Sequence, residues 1–73
     1  MDKELLRTKV RMKTGTNKVV EELAKLLGIS EVSIVAKTNG RREFRPSEIE
    51  TIRKEYNLSN DDVVTIFIEG EKR

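Results

Sequence analysis

The apolar side chains of this chain recur every three or four residues, which is the spacing of one face of an α-helix. The clearest segment carries its apolar stripe at Val19, Val20, Leu23, Ala24 and Leu27. Signals that begin a helix occur at five places: Asp2, Thr16 or Asn17, Ser30, Pro46 and Ser59. Gly15 and Gly28 follow the first two apolar stripes, where helices commonly end. The pattern therefore predicts an all-α chain of five short helices.

The fifth segment has two interpretations. Residues 63–68 read VVTIFI, a β-prone run that suits a strand as well as a helix. Ser59 and Asp62 have the spacing of a capping box, and this favours a helix that ends at Gly70. We expect residues 1–70 to form one domain and residues 71–73 to be a frayed tail.

The composition excludes most catalytic chemistry. The 73 residues include neither Cys nor His, which removes disulfides, thiolate metal sites, Cys–His pairs and serine-type triads. A domain of this size rarely encloses a substrate pocket, so we expect a binding protein rather than an enzyme, with no cofactor and no metal. No apolar run is long enough to span a bilayer, so we expect a cytoplasmic protein that does not bind membranes.

The net charge of +2 hides an uneven distribution of charge. Residues 1–15 contain five basic and two acidic side chains, and residues 37–45 contain four basic side chains and one acid. Residues 59–73 are acidic, with four acids and two bases. This arrangement predicts a positive face that suits a polyanion.

Residues 20–40 carry the pattern of a helix-turn-helix. Two short helices joined by three residues must pack closely, which requires a small side chain at the crossing, a glycine at the turn and apolar residues around them. The chain supplies all of these at Leu23, Ala24, Leu27, Gly28, Ile29 and Ile34.

The same region resembles a known family. Residues 21–30 read EELAKLLGIS, which is similar to the hallmark of lambda-repressor-like, Cro-type helix-turn-helix proteins. Residues 37–44 read KTNGRREF and resemble the segment after the recognition helix in phage and prophage Cro-like regulators. The resemblance covers about residues 5–68. It implies a compact five-helix domain and a transcription regulator that binds a double-stranded operator in a bacterial host, at the nucleoid.

The resemblance also implies roles for individual residues. The third helix becomes the recognition helix, whose residues facing DNA bases would be Ser30, Glu31, Val32, Ser33, Val35, Ala36 and Thr38. Contacts to phosphates would come from Thr16, Asn17, Lys18, Lys37, Asn39, Arg41, Arg42 and Arg45. Because an operator with two half-sites calls for two domains, we expect a homodimer, and its candidate contact residues are Val64, Phe67 and Ile68. The alternative is that the apolar side chains of residues 63–68 are mostly core residues, with Phe67 central.

The chain departs from the family pattern at the recognition helix. It has no Arg, Gln or Asn there before Asn39, and Val20 stands where the family commonly has Gln. Arg45 replaces the usual Thr cap of the fourth helix, so we expect that helix to begin without a capping box.

Three hypotheses follow for the apolar recognition helix. Phosphate contacts supply most of the affinity, and methyl contacts or DNA shape supply the specificity. Alternatively, the apolar face docks onto another phage repressor, and Glu31 pairs with its basic helix. The third hypothesis is that Val32 or Val35 is simply buried against the first helix.

Overall fold

The computed structural model describes residues 1–68, and the regular structure in that range is entirely helical. The fifth helix continues directly into a π-helical turn over Val64–Ile68. The helices are α1 Lys3–Thr14, α2 Val19–Leu27, α3 Glu31–Thr38, α4 Pro46–Glu55 and α5 Asn60–Val63. The predicted all-α chain of five helices is confirmed, and the strand interpretation of residues 63–68 is wrong. The predicted stop at Gly70 and the tail 71–73 lie outside the described residues.

Three helices begin at the side-chain caps that the sequence predicted. A carboxylate oxygen of Asp2 accepts the amide hydrogen of Leu5 at 3.1 Å. Ser30 Oγ caps α3 in the same way, at 3.1 Å from the amide nitrogen three residues later. Ser59 and Asp62 form the predicted capping box, with each side chain accepting the other residue's amide hydrogen at 3.0 Å.

Helix α4 begins at Pro46 as predicted, but α2 and α4 are capped differently from expectation. Lys18, rather than Thr16 or Asn17, precedes α2, and it makes no side-chain cap. Thr16 Oγ1 instead accepts the amide hydrogen of Lys18 itself, at 3.0 Å. Helix α4 was expected to lack a capping box, yet Glu48 Oε1 accepts the amide hydrogen of Arg45 at 2.8 Å. The start of α4 therefore keeps the half of the box that a glutamate supplies, while an arginine side chain has no acceptor for the other half.

The core is drawn from every helix except α5, together with the π-helical turn and the segments around α4. Its fully buried members include Leu23 of α2 and Ile34 of α3, both predicted from the helix-turn-helix pattern. Phe44 and Phe67 meet edge to face, with ring centroids 5.6 Å apart. The buried apolar residues are Leu6, Val10, Leu23, Ile34, Phe44, Ile52, Tyr56, Leu58, Ile66 and Phe67.

Helix α2 packs against α1, α3 and α4. It reaches α3 through residues 28–30, where Gly28 adopts φ +67°. The carbonyl oxygen of Ala24 accepts the amide hydrogens of Gly28 and Ile29, at 2.9 and 3.2 Å. The chain thus turns sharply and directs α3 away from α2 while both helices share the core.

Candidate nucleic-acid interface

The residues predicted to face DNA differ widely in exposure. Val32 is 80% exposed and Val35 is 43% exposed. The hypothesis that one of these valines is buried against α1 is therefore wrong. Ser30 and Glu31 are also exposed, whereas Ser33, Ala36 and Thr38 are half-buried.

The hydroxyl groups of α3 are largely engaged within the helix itself. Ser30 Oγ caps the helix and also donates to Ser33 Oγ, at 3.0 Å. Thr38 Oγ1 donates to the carbonyl oxygen of Val35, at 3.1 Å. The exposed side chains of α3 that make no hydrogen bond or ion pair within residues 1–68 are consequently Glu31, Val32 and Val35.

The connection between α3 and α4, residues 39–45, is irregular but well anchored. The carbonyl oxygen of Ala36 accepts the amide hydrogens of Arg41 and Arg42, at 2.9 and 3.2 Å. Phe44 inserts into the core with 8% of its surface exposed. Asn39 Oδ1 accepts a hydrogen bond from Lys3 Nζ, at 2.8 Å. We call residues 39–45 the basic loop, because it contains three exposed arginines. Its backbone is held in place by the contacts above.

The arginines of the basic loop have no carboxylate partner within residues 1–68. Arg41, Arg42 and Arg45 are all exposed, and none of the ion pairs in this range includes them. Arg42 and Arg45 border a depression of about 200 Å³ that also reaches Ser33 of α3. The loop therefore offers unpaired guanidinium groups next to α3.

Lys37 was predicted to contact phosphate, and the structure corrects this. Its side chain is only 4% exposed, and its Nζ lies 2.5 Å from Glu48 Oε1. The same ammonium group lies 5.6 Å from the centroid of the Phe44 ring. Lys37 is therefore turned inward, where it joins the last turn of α3 to the first turn of α4 across the basic loop.

Glu48 is the partner that holds this arrangement together. Burial alone would raise its pKa, but hydrogen bonds from Lys37 and the Arg45 amide, with the positive charges of both residues, hold the pKa below its ordinary value. The carboxylate is thus favoured in its charged form. It fixes both ends of the basic loop at once.

Acid is expected to weaken the fold through Glu48. Because its pKa is lower in the folded state, its contribution to stability is complete above the ordinary pKa of 4.5 and is lost as the pH falls through the folded-state pKa. Urea unfolding of the wild type and of Glu48→Gln, followed from pH 7 down to pH 3, measures this. The wild type should lose more of its unfolding free energy below pH 4.5 than the variant does. Equal losses would contradict the assigned role of Glu48.

A second group of basic side chains lies at the C-terminal end of α1 and in the segment that follows it. Residues 5–20 contain no acidic side chain. Arg11, Lys13 and Lys18 are exposed there, and none of them joins an ion pair within the described residues. The predicted phosphate contacts Thr16 and Asn17 are exposed beside them. We call Arg11, Lys13 and Lys18 the α1 cluster.

Lys3 is a candidate that the sequence did not indicate. It lies at the beginning of α1, 36 positions before Asn39, and its hydrogen bond to Asn39 places its charge beside the basic loop. Helix α1 therefore connects two basic regions. With a rise of about 1.5 Å per residue, the backbone positions of Lys3 and Lys13 are about 15 Å apart.

The predicted dimer residues are not equivalent. Val64 is 37% exposed and Ile68 is 50% exposed, but Phe67 is 4% exposed and packs against Phe44. Phe67 is a core residue, which corrects its assignment to a contact surface. Val64 and Ile68 border a largely apolar groove of about 430 Å³ between α4 and the end of α5, together with Ile49 and Val63.

No helix within residues 1–68 is long and apolar enough to cross a membrane. The same residues contain no cluster of three or more His, Cys, Asp or Glu side chains suited to a metal ion. Comparison of the chain with protein-family models, with curated proteins and with solved structures found no match.

Proposed function

We propose that this protein is a DNA-binding transcription regulator of the lambda-repressor-like, Cro type, acting on a phage or prophage operator in the bacterial cytoplasm. The observation that carries this proposal is the basic loop. Arg41, Arg42 and Arg45 are exposed and unpaired within the described residues, on a backbone held by hydrogen bonds and by Phe44. Cations held ready in this way suit the evenly spaced charges of a phosphate backbone.

The positions of the two basic regions support the proposal. Lys3 joins the basic loop at one end of α1, and the α1 cluster lies about 15 Å away at the other end. The major groove of B-DNA is about 12 Å wide, so its two bordering phosphate strands have a comparable separation. In this proposal α3 enters the groove, and each basic region contacts one of the strands.

The proposal includes a homodimer, because one domain reads only one half-site of a two-fold operator. The groove beside Val64 and Ile68 is an apolar surface, within residues 1–68, that suits this contact.

Binding to DNA at several salt concentrations tests the proposal. A fluorescently labelled duplex from the promoter region next to the protein's own gene is titrated with protein, and anisotropy gives the affinity. If the basic loop and the α1 cluster contact phosphates, the logarithm of the affinity should fall with the logarithm of the salt concentration with a slope of about −4 or steeper. Absence of binding at micromolar protein and low salt would refute the proposal.

A second candidate function is a modulator that covers the DNA-binding surface of another phage repressor. It is favoured by Val32, which is 80% exposed, beside the free carboxylate of Glu31 on a helix whose one lysine is turned inward. This candidate predicts that the protein releases a lambda-type repressor from its labelled operator without binding that DNA itself. Val35→Glu should abolish the release and leave the circular dichroism spectrum unchanged. Direct binding to DNA, weakened by salt, would favour the first function instead.

A further inference from the structure

The free groups on α3 form a small and unusual set for a helix that enters a groove. Ser30 and Thr38 use their hydroxyl groups inside the helix, and Lys37 is paired with Glu48. The exposed remainder is one carboxylate and two isopropyl groups, from Glu31, Val32 and Val35. This set contains no side chain that donates two hydrogen bonds to one base.

Each of these groups has a particular complement in the major groove. An isopropyl group can lose its contact with water only against another apolar group, and the C5-methyl of thymine is the apolar group that the base edges present there. A carboxylate only accepts hydrogen bonds, and it suits the N4 amino group of cytosine. Adenine also offers an amino group, but its N7 acceptor lies alongside and repels a carboxylate.

We propose that α3 reads C5-methyl groups of thymine through Val32 and Val35, and the amino group of a cytosine through Glu31. This inference rests on the proposed function and specifies the class of DNA sequence that the site selects. The basic regions attract every DNA sequence equally, while the valines raise the affinity for each thymine whose methyl group they contact.

Glu31 adds a penalty as well as a preference. It is the first residue of α3 and has no ion-pair partner within residues 1–68. Beside a duplex its charge is repelled by phosphates and by guanine or adenine acceptors unless an amino group faces it. A half-site without a suitably placed cytosine is therefore disfavoured.

The test begins by selecting preferred duplexes from a random library. In the selected duplex each thymine is then replaced singly by deoxyuridine, which removes only the methyl group. Affinity should fall about fourfold at each contacted thymine, as expected for the burial of one methyl group. When the titrations are repeated with Val32→Ala, the difference in affinity between the thymine and deoxyuridine duplexes should disappear at one thymine or more. Glu31→Gln should instead weaken the preference for cytosine.

A matched control is Thr51→Ala, which shortens an exposed side chain of similar size on α4, away from α3, and should keep every deoxyuridine effect. Salt-dependent binding with equal affinity for the thymine and deoxyuridine duplexes would overturn this inference while leaving the proposed function in place. A library that returns no enriched thymine would overturn it in the same way. Failure to bind any duplex at low salt would instead overturn the proposed function.

Discussion

Replacing Glu48 with alanine is expected to lower the free energy of unfolding by about 2 to 3 kcal/mol, because removal of one partner leaves the other charge buried and unpaired. The Lys37 side chain is 4% exposed and that of Glu48 is 14% exposed, so little water reaches the pair. The substitution also removes the acceptor of the Arg45 amide hydrogen at the start of α4. Urea unfolding followed by circular dichroism measures the change.

The chain offers a matched control on the same helix. Glu50 forms an ion pair with Arg53 on the exposed side of α4, and Glu50→Ala should change the stability little. Lys37→Met combined with Glu48→Gln should recover much of the loss, because both charges are then removed and glutamine can still accept the Arg45 amide hydrogen. If Glu48→Ala unfolds at the same urea concentration as the wild type, the pair does not stabilise the fold.

Replacing both Arg41 and Arg42 with alanine is expected to weaken DNA binding between about 30- and 100-fold at about 0.1 M salt. Each arginine that no longer contacts a phosphate means that about one fewer counterion is released on binding. The salt slope should therefore become shallower by about two. Both side chains are exposed and their backbone bonds to Ala36 do not depend on the side chain, so the fold should be unaffected. Anisotropy titrations at four or more salt concentrations measure the affinity and the slope.

Lys25→Ala combined with Lys54→Ala removes the same charge from exposed positions in the last turns of α2 and α4, outside the basic loop, the α1 cluster and the apolar groove. This control should lower affinity much less and leave the slope nearly unchanged. If the two double variants behave alike, net charge rather than the basic loop determines binding, and the assigned role of the loop is wrong.

The helices were predictable because their signals are local. Asp2, Ser30 and the pair Ser59 and Asp62 act on amide groups within three residues, so sequence spacing alone indicates them. The beginning of α2 was predicted wrongly. Thr16 and Asn17 are both residues that often cap helices, but the helix begins after Lys18.

The inward turn of Lys37 was not predictable in the same way. In the sequence it is one of several basic residues around a turn, and lysine is rarely buried unless it is paired. Its contacts with Glu48 and with the ring of Phe44 are tertiary contacts, which depend on how α4 packs against α3. Lys3 was missed for a related reason, since a contact across 36 positions leaves no periodic signal.

The end of α5 shows a third limit of prediction from the sequence. Residues 63–68 are nearly all apolar, so their spacing does not distinguish the buried face from the exposed one. The π-helical turn changes the period further, burying Ile66 and Phe67 and leaving Val64 and Ile68 exposed. The assignment of Phe67 to a contact surface failed for this reason.

The two ends of the described chain are joined directly. The Asp2 amide donates to the carbonyl oxygen of Ile66 at 3.0 Å, and Lys9 Nζ lies 3.2 Å from Asp62 Oδ2. Local unfolding of the turn at residues 64–68 therefore breaks a bond at the residue that caps α1. We therefore expect the first and last helices to open as one cooperative unit rather than to fray separately. Hydrogen exchange at both should follow the same opening equilibrium, although residues 15–59 lie between them along the chain.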